Sequence, residues 1–294
     1  MLQPIPSRGK IIHIERFPSQ YVDSRPIDIW LPDGYEVDTR AGKRFAVLYM
    51  HDGQMLFDSR ITWNKQEWCV DETLSYLLDS ASIRPCIVVG IWNNGARRHA
   101  EYFPAKPFEK LPRYMQDSLL SIALQSEIRS EKYLTFLVRE LKPYIDSTFA
   151  TFPDVSNTAI AGSSMGGLIS LYALCEYPNV FGSAACLSTH WVGNIRWIDG
   201  IIPRAFRDYV FTKLPEPRQG AVQRRIYFDY GTRGLDSLYK PYQIAIDEVI
   251  HRRGYTPTEW QTREYPGEEH SERSWSKRLH IPLQFILAHP SVQR

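Results

Sequence analysis

The sequence predicts an α/β fold, with a mostly parallel central sheet, antiparallel strands at its N-terminal end and helices on both faces. From residue 44 onward, short apolar runs alternate with amphipathic stretches of helical period. Such alternation is typical of a parallel sheet whose two faces are covered by helices. Before residue 44 the segments "KIIHIERF" (10–17) and "IDIWL" (27–31) alternate in character and are separated by turn residues. We therefore expect these two to be antiparallel strands.

The remaining elements follow in a regular order. Apolar runs ending in polar or small residues predict strands at 44–52, 84–92, 157–162, 182–188, 224–231 and 259–267. Stretches with apolar residues three and four apart predict helices at 63–82, 130–149, 165–178, 239–254 and 274–288. Because the 294 residues show no repeat or low-complexity segment, we expect one domain over 1–294.

Two long stretches, 93–125 and 190–220, interrupt this order. Each directly follows a predicted strand, so each leaves from the carboxyl edge of the sheet, where open α/β sheets place their ligands. Long insertions at that edge are candidate lids or substrate-binding walls.

Composition argues against several classes of partner. The net charge is +2 and basic residues occur only as short local pairs, which disfavours nucleic acid as a partner. No apolar run reaches the roughly 18 residues of a membrane span, and the N-terminal segment lacks the pattern of a signal peptide. The four cysteines show no C-x-x-C spacing, which indicates buried free thiols, no metal site and a reducing, cytoplasmic location.

The stretch "AIAGSSMGGLIS" (159–170) contains G-x-S-x-G between a predicted strand and a predicted helix. In that context the pattern indicates a nucleophile elbow, a strained turn that presents a serine at the sheet edge. The central position of the pattern is Ser164 rather than Ser163. A structural glycine-rich turn is the alternative interpretation.

A serine nucleophile needs a histidine base, which follows it in the chain in this class of enzyme. His270, between the last predicted strand and the last helix, belongs to the same sheet edge as Ser164. His190, after the strand 182–188, is the rival candidate.

The acid that orients the base is expected after the strand 224–231. Asp236 lies in the loop beyond that strand and is preferred, although it could instead cap the next helix. Asp229 lies within the strand and remains an alternative.

Two backbone amides are expected to form the oxyanion hole. Met165 follows the serine at a helix N-terminus, and Gln54 follows Gly53 in the loop after the first parallel strand. The neighbouring His51 and Asp52 are better explained by hydrogen bonds within that loop than by metal binding, because adjacent strand residues face opposite ways.

Four ordered motifs, "VLYMHDGQMLFD", "GSSMGGLISLYALCEYP", "FDYGTRGLD" and "GEEHSERSW", resemble the putative esterase family of α/β-hydrolases. Relatives in that superfamily include esterase-D-like enzymes, acetylxylan and feruloyl esterases, siderophore esterases of the enterobactin type and mycolyltransferases. The resemblance covers the chain from about residue 25 to its end. It implies Ser164 as nucleophile, His270 as base, an acid in the loop after "FDYGT", and oxyanion donors at Gln54 and Met165. The segment "ARRHAEYFP" (96–104) also resembles a family segment near the site, in which Arg98 and Glu101 hold the loop.

The sequence thus predicts an α/β-hydrolase that cleaves a carboxylic ester through an acyl-enzyme, without cofactor or metal. Acyl-sugar esters (acetyl or feruloyl) are the leading substrates, and a siderophore trilactone is the alternative. Acyl transfer on the same triad is a second possibility, and a non-catalytic binding module a third, disfavoured because nucleophile, base and acid are all present. The candidate substrate contacts are Arg98, together with an aromatic platform made of Tyr102, Phe103, Trp191 and Trp197.

Overall fold

An eight-stranded sheet organises the computed structural model, which describes residues 3–193, 200–220 and 222–289. The order is β1-β2-β4-β3-β5-β6-β9-β10, with β1, β2 and β4 paired antiparallel and all later pairs parallel. A separate two-stranded ribbon is made by β7 and β8. The strands are β1 Lys10–Phe17, β2 Arg25–Leu31, β3 Ala46–His51, β4 Cys86–Ile91, β5 Thr158–Ser163, β6 Ser183–Leu187, β7 Arg218–Gln219, β8 Val222–Gln223, β9 Arg225–Gly231 and β10 Trp260–Tyr265. The predicted α/β fold, with antiparallel strands at the N-terminal end, is confirmed.

Helices cover both faces of this sheet, and alternate residues of the central strands point to opposite sides. In β3, Val47 and Tyr49 belong to the larger apolar cluster on one face, whereas Leu48 and Met50 belong to the cluster on the other. The helices are α1 Tyr35–Arg40, α2 Val70–Asp79, α3 Arg98–Tyr102, α4 Ala105–Glu109, α5 Arg113–Ser118, α6 Ser130–Phe136, α7 Lys142–Thr148, α8 Met165–Glu176, α9 Ile201–Lys213, α10 Lys240–Arg252, α11 Glu272–Arg278 and α12 His280–Ile286.

Two predicted helices are divided. Between α6 and α7 the chain forms a π-helical segment, Leu137–Leu141, just before Pro143, which has no amide hydrogen to continue the regular ladder. The last predicted helix becomes α11 and α12, with Pro282 in the first turn of α12. In both places a proline explains the break in regular α-helical bonding.

The predicted helix 63–82 begins only at Val70. Cys69, directly before it, has φ 53°, a left-handed conformation that an α-helix cannot continue through. Residues 63–69 form a loop rather than a helix, and several of them line the cleft that also holds Ser164.

The two insertions lie where the sequence predicts. The stretch 93–125 holds α3, α4, α5 and a π-helical segment, Leu119–Leu124, and 190–220 holds α9 and β7. Residues 194–199, with Trp197, lie outside the described residues. The proposed function of both insertions as lids or walls stays a prediction.

The four cysteines are free thiols, and Cys86, Cys175 and Cys186 are buried while Cys69 is half-buried. Across the described residues no helix is long and apolar enough to span a bilayer.

A buried ion pair fixes the first insertion to the sheet. Arg25 of β2 and Glu101 of α3 are both buried and make two parallel hydrogen bonds of 2.7 and 2.8 Å. The guanidinium also lies 5.3 Å from the ring centre of Tyr133. Glu101 thus holds the loop, as the resemblance implies.

We expect Glu101→Gln to lower the free energy of unfolding by about 3 kcal/mol, because it leaves the Arg25 charge buried without its counter-charge. Urea denaturation measures this loss. The matched control is Glu127→Gln, which removes an exposed carboxylate paired with Lys132 and should leave stability unchanged. Equal free energies of unfolding for the two variants would show that the buried pair of Arg25 and Glu101 does not contribute this stability.

Candidate active site

The turn between β5 and α8 is strained as the sequence predicts for a nucleophile elbow. Ser164 has φ 58° and ψ −122°, a combination that L-residues rarely adopt. A side chain on Gly162 would bring its Cβ within 2.8 Å of the backbone of Gly166, so the tight turn requires glycine there. The Ser164 amide donates to the carbonyl of Leu187 at 2.9 Å, which anchors the turn to the end of β6.

This turn distinguishes the two adjacent serines. Ser163 is the last residue of β5 and is buried, whereas Ser164 is half-buried and occupies the strained position. Both contribute to the wall of one cleft, but only Ser164 stands at the helix N-terminus.

His270 and Asp236 form a close pair in the structure. The His270 Nδ1 atom lies 2.6 Å from Asp236 Oδ1, with Asp236 fully buried and His270 partly exposed to the cleft. The other oxygen, Oδ2, accepts hydrogen bonds from Ser188 Oγ at 2.6 Å and from the Gly231 amide at 2.7 Å. Burial on its own raises the pKa of Asp236, but its bonds to His270, Ser188 and Gly231 outweigh burial and hold the pKa below its ordinary value. The carboxylate therefore stays ionised and presents an oxygen to the imidazole.

Asp229, the alternative acid, has a different set of partners. Its carboxylate pairs with Arg278 through bonds of 2.8 and 3.1 Å, and its Oδ1 also accepts from the Ser188 amide at 3.2 Å. Of the two carboxylates, Asp236 is the one bonded to His270. Asp229 ties the end of β9 to α11.

Close contact between two loops brings Asp236 and His270 together. The Glu268 carbonyl accepts hydrogen bonds from the amides of Thr232 and Arg233, both at 3.0 Å. A Cβ on Gly231 would lie 2.2 Å from that same carbonyl oxygen, so no side chain fits there. The loop that carries Asp236 and the loop that carries His270 are thereby held as one unit.

The two predicted oxyanion donors belong to two different elements. Gln54 is in the 3₁₀ turn Gly53–Met55 after β3, and Met165 is the first residue of α8. Among the described residues, neither the Gln54 nor the Met165 amide has a hydrogen-bond acceptor within the protein. The first amides of a helix have no acceptor within that helix, so the Met165 amide is available to a ligand.

A polar network braces the Gln54 loop. Asp52 accepts two hydrogen bonds from Arg98, at 2.7 and 2.8 Å, and a third from Asn93 Nδ2 at 2.7 Å. Burial raises the pKa of Asp52, and the charge of Arg98 more than offsets it, so the net pKa is lowered. Gln54 Oε1 in turn accepts from the Asn93 amide at 3.2 Å. Arg98 reaches the cleft wall while remaining paired with Asp52.

The cleft above these groups has a volume of about 780 Å³. Trp63 belongs to its wall, which the sequence prediction missed because it assigned this segment to a helix. The Trp63 side chain is 83% exposed, an unusual state for an indole. Its loop is tied to the first residue of α11 by Asn64 Nδ2, which donates to Glu272 at 2.7 Å. The wall of the cleft includes Gln54, Trp63, Arg98, Ser164, His270 and Glu272.

Three residues of the predicted aromatic platform are corrected. Trp191 is 2% exposed and donates its indole N–H to Gln243 Oε1 at 2.8 Å, within the core. Tyr102 is fully buried, and its ring packs 5.1 Å from that of His51. Phe103 is likewise buried. The position of all three aromatic side chains in insertions predicts a platform, but their apolar surface packs those insertions onto the sheet.

Four of the other histidines are placed differently from His270. His51 is buried, with Nδ1 2.8 Å from the Tyr133 hydroxyl, and burial lowers its pKa to about 3. His190, the rival base, is buried with Nδ1 2.8 Å from the Tyr239 hydroxyl. His251 and His280 are exposed on helices.

Comparison with known proteins shows the family of this chain. The sequence profile of the family described as Putative esterase matches residues 21–290. The chain belongs to this family. The match covers the elbow, the acid loop and the base loop, which are the segments on which the resemblance rests.

Individual relatives of this esterase-family chain are distant. It is 29% identical, over 171 residues, to an endo-1,4-β-xylanase/feruloyl esterase of Xylanibacter ruminicola, which covers 55% of this chain and 19% of that protein. A solved ferulic acid esterase superposes with TM-score 0.66 and 19% identity, covering 95% of this chain and 98% of the other. The enterobactin esterase of Shigella flexneri superposes with TM-score 0.67 and 18% identity, covering 96% and 60%. These superpositions show the α/β-hydrolase fold, and the chain spans less than two thirds of the length of its sequence relatives.

Proposed function

We propose that this chain is a serine carboxylic-ester hydrolase that works through an acyl-enzyme on Ser164. The observation that carries the proposal is the bond of 2.6 Å between His270 and a buried Asp236, in the cleft that also exposes the strained Ser164. Nucleophile, base and orienting acid in this relation form the arrangement that activates a serine hydroxyl for attack on a carbonyl.

In the first half-reaction, Ser164 Oγ attacks the ester carbonyl and His270 Nε2 takes its proton. The imidazolium that forms is stabilised by the carboxylate of Asp236, whose bond to Nδ1 also fixes the imidazole tautomer. His270 then donates the proton to the departing alcohol. Among the described residues no hydrogen bond joins Ser164 Oγ to His270, and in unliganded sites this bond is often long and shortens with substrate.

In the second half-reaction, His270 takes a proton from water, which attacks the acyl group, and returns the proton to Ser164 Oγ. Both tetrahedral intermediates carry negative charge on the former carbonyl oxygen. The amides of Gln54 and Met165 are proposed to bind that oxygen, helped by the N-terminal end of α8. The network of Asp52, Asn93 and Arg98 keeps the Gln54 loop rigid, so Arg98 contributes mainly through the loop.

Acyl-sugar esters, acetyl or feruloyl, are the proposed substrates. The cleft volume of about 780 Å³ accommodates a group of this size. A feruloyl group is favoured over acetyl because the exposed indole of Trp63 offers a flat apolar surface at the cleft. The similarity to feruloyl esterases supports the same choice.

A siderophore trilactone is the second candidate, supported by the superposition on the enterobactin esterase. Its aromatic acyl groups would also contact Trp63. The exposed indole therefore does not favour a feruloyl sugar over a trilactone as the substrate. The test is a panel of purified acetylated sugar, feruloylated sugar and trilactone esters, with kcat/KM measured for each. Preference for the feruloyl sugar supports the proposal, and preference for the trilactone replaces it with the second candidate. Addition of a competing alcohol to the same assay detects acyl transfer as an ester product.

We expect Trp63→Ala to raise KM for the feruloyl ester about fivefold, the value of one aromatic contact, and to leave KM for the acetyl ester unchanged. Steady-state kinetics on both esters measure the difference. The matched control is Tyr76→Ala, which removes an exposed aromatic side chain of α2 that does not contribute to the cleft. Equal losses on the two esters would show that Trp63 does not contact the acyl group.

A further inference from the structure

A second hollow in the surface lies between the edge strand β10 and helix α12. Its volume is about 700 Å³, and among the described residues it shares no lining residue with the cleft of Ser164. Helix α12 packs on β9, the neighbour of β10, and β10 itself is only partly covered. We call this hollow the basic groove; its lining includes Arg218, Arg225, Gln261, Arg263, His280 and Phe285.

Three arginines reach the basic groove from different elements. Arg218 belongs to β7, Arg225 is the first residue of β9, and Arg263 lies in β10. In the parallel pair of β9 and β10, Arg263 is opposite Asp229, and Arg225 precedes Asp229 by an even number of residues. Because alternate strand residues share a face, Arg225 and Arg263 project to the same side of the sheet. That side is the face on which α12 packs.

Arg218 has a carboxylate partner. It pairs with the buried Glu259 through bonds of 2.6 and 2.8 Å. Burial raises the pKa of Glu259, but hydrogen bonds from Thr256 and Arg218 outweigh burial and hold this pKa at about 2, so the carboxylate is ionised. The charge of Glu259 therefore neutralises one arginine of the basic groove.

Arg225 and Arg263 have uncharged partners in the described part of the chain. Arg225 Nη1 donates to the Ala288 carbonyl at 3.2 Å, and Arg263 Nη2 donates to Gln261 Oε1 at 3.4 Å. Arg225 is 9% exposed, and burial lowers its pKa although the charge of Glu259 acts in the opposite direction. A buried cation without a bonded counter-charge is costly. Among the described residues none that lines the basic groove is acidic, so two guanidinium groups face it without a counter-charge.

We propose that the basic groove binds the phosphate group of a phosphorylated small molecule. A phosphomonoester carries a charge of about −1.5 to −2 at pH 7 and has three acceptor oxygens, which suits two guanidinium groups without a counter-charge. The planar fork of arginine can donate two parallel hydrogen bonds to such oxygens. The half-buried ring of Phe285 belongs to the same wall and offers an apolar surface to the rest of the molecule. This inference does not depend on the function proposed for Ser164.

The test is a calorimetric titration with pyrophosphate at low ionic strength. We expect saturable binding to the wild-type chain with a dissociation constant below about 1 mM. Arg263→Gln, which changes an exposed side chain, should weaken binding about tenfold, the effect of losing one charge-assisted hydrogen bond. Arg225→Gln should weaken it at least as much. The matched control is Arg252→Gln, which removes the same charge from the exposed surface of α10 and should bind pyrophosphate as the wild type does.

Citrate in the same titration tests the choice of anion, because it carries its negative charge on carboxylates. Weaker binding of citrate supports the proposal, and equal or tighter binding would overturn the assignment to phosphate. Absence of binding up to about 10 mM pyrophosphate, or equal affinities in Arg263→Gln and Arg252→Gln, would overturn the basic groove as the site. Hydrolysis of p-nitrophenyl acetate is measured over the same concentrations of pyrophosphate. Competition with this ester would place the anion in the cleft of Ser164 and would also overturn the inference.

Discussion

Ser164→Ala should lower kcat/KM for p-nitrophenyl acetate at least about 10⁴-fold, because the variant has no atom that can form the acyl-enzyme. The oxyanion hole and the binding cleft remain, so a small rate above the uncatalysed reaction should survive. Steady-state assay of the purified variant measures the loss, and mass spectrometry after fluorophosphonate treatment identifies the labelled serine.

Ser163→Ala is the matched control, since it also removes a serine hydroxyl, one residue earlier in the chain. Ser163 ends β5 with its backbone paired to Leu187 of β6, and it lacks the strained backbone of the elbow. We expect near wild-type activity and a label on Ser164. A label on Ser163, or activity that persists in Ser164→Ala, would remove Ser164 from the proposal.

Asp236→Asn is expected to lower kcat about 10³- to 10⁴-fold with little change in KM. The amide can no longer stabilise the imidazolium of His270, and its NH₂ group favours the wrong imidazole tautomer. The pKa of Asp236 is held below its ordinary value, so the wild-type carboxylate is charged across the neutral range, and protonation of Asp236 should not limit the wild-type rate there. Rates measured from pH 6 to pH 9 test both statements.

Asp229→Asn provides the comparison, because Asp229 is the other buried carboxylate near Ser188. Its loss leaves Arg278 buried without a partner, so we expect lower stability and a much smaller fall in kcat. Thermal unfolding and kcat measured on the same preparation separate the two effects. A larger fall in kcat for Asp229→Asn than for Asp236→Asn would assign the orienting role to Asp229.

The fold could be predicted from the sequence because the spacing of apolar residues along the chain distinguishes strands from helices. Every predicted strand of the parallel sheet appears within a few residues of its expected bounds. The close pairing of His270 with Asp236 was also accessible, because chain order and the sheet edge restrict which residues can meet.

The lining of the cleft could not be predicted, because it depends on tertiary packing between residues that are far apart in the chain. Trp191 and Tyr102 were expected at the surface of the cleft, and both are core residues of the insertions. Trp63 was assigned to a helix, although the left-handed backbone of Cys69 excludes a helix there. Ser188 bonds Asp236, and the Tyr239 hydroxyl lies beside His190. In both pairs the partners are about fifty positions apart in the chain, so local sequence pattern does not indicate the contact.

The contact between Gly231 and the Glu268 carbonyl has a consequence for how such a chain can change. The chain before Asp236 and the chain before His270 meet at this one carbonyl and leave no space for a Cβ, so we expect that neither loop can be lengthened or exchanged without the other. The stretch 93–125 has no such shared contact with the acid and base loops among the described residues. Redesign toward a new ester would therefore treat residues 231–236 and 267–270 as a single unit, and would confine diversity to the Trp63 loop and to positions of the stretch 93–125 other than Asn93, Arg98 and Glu101.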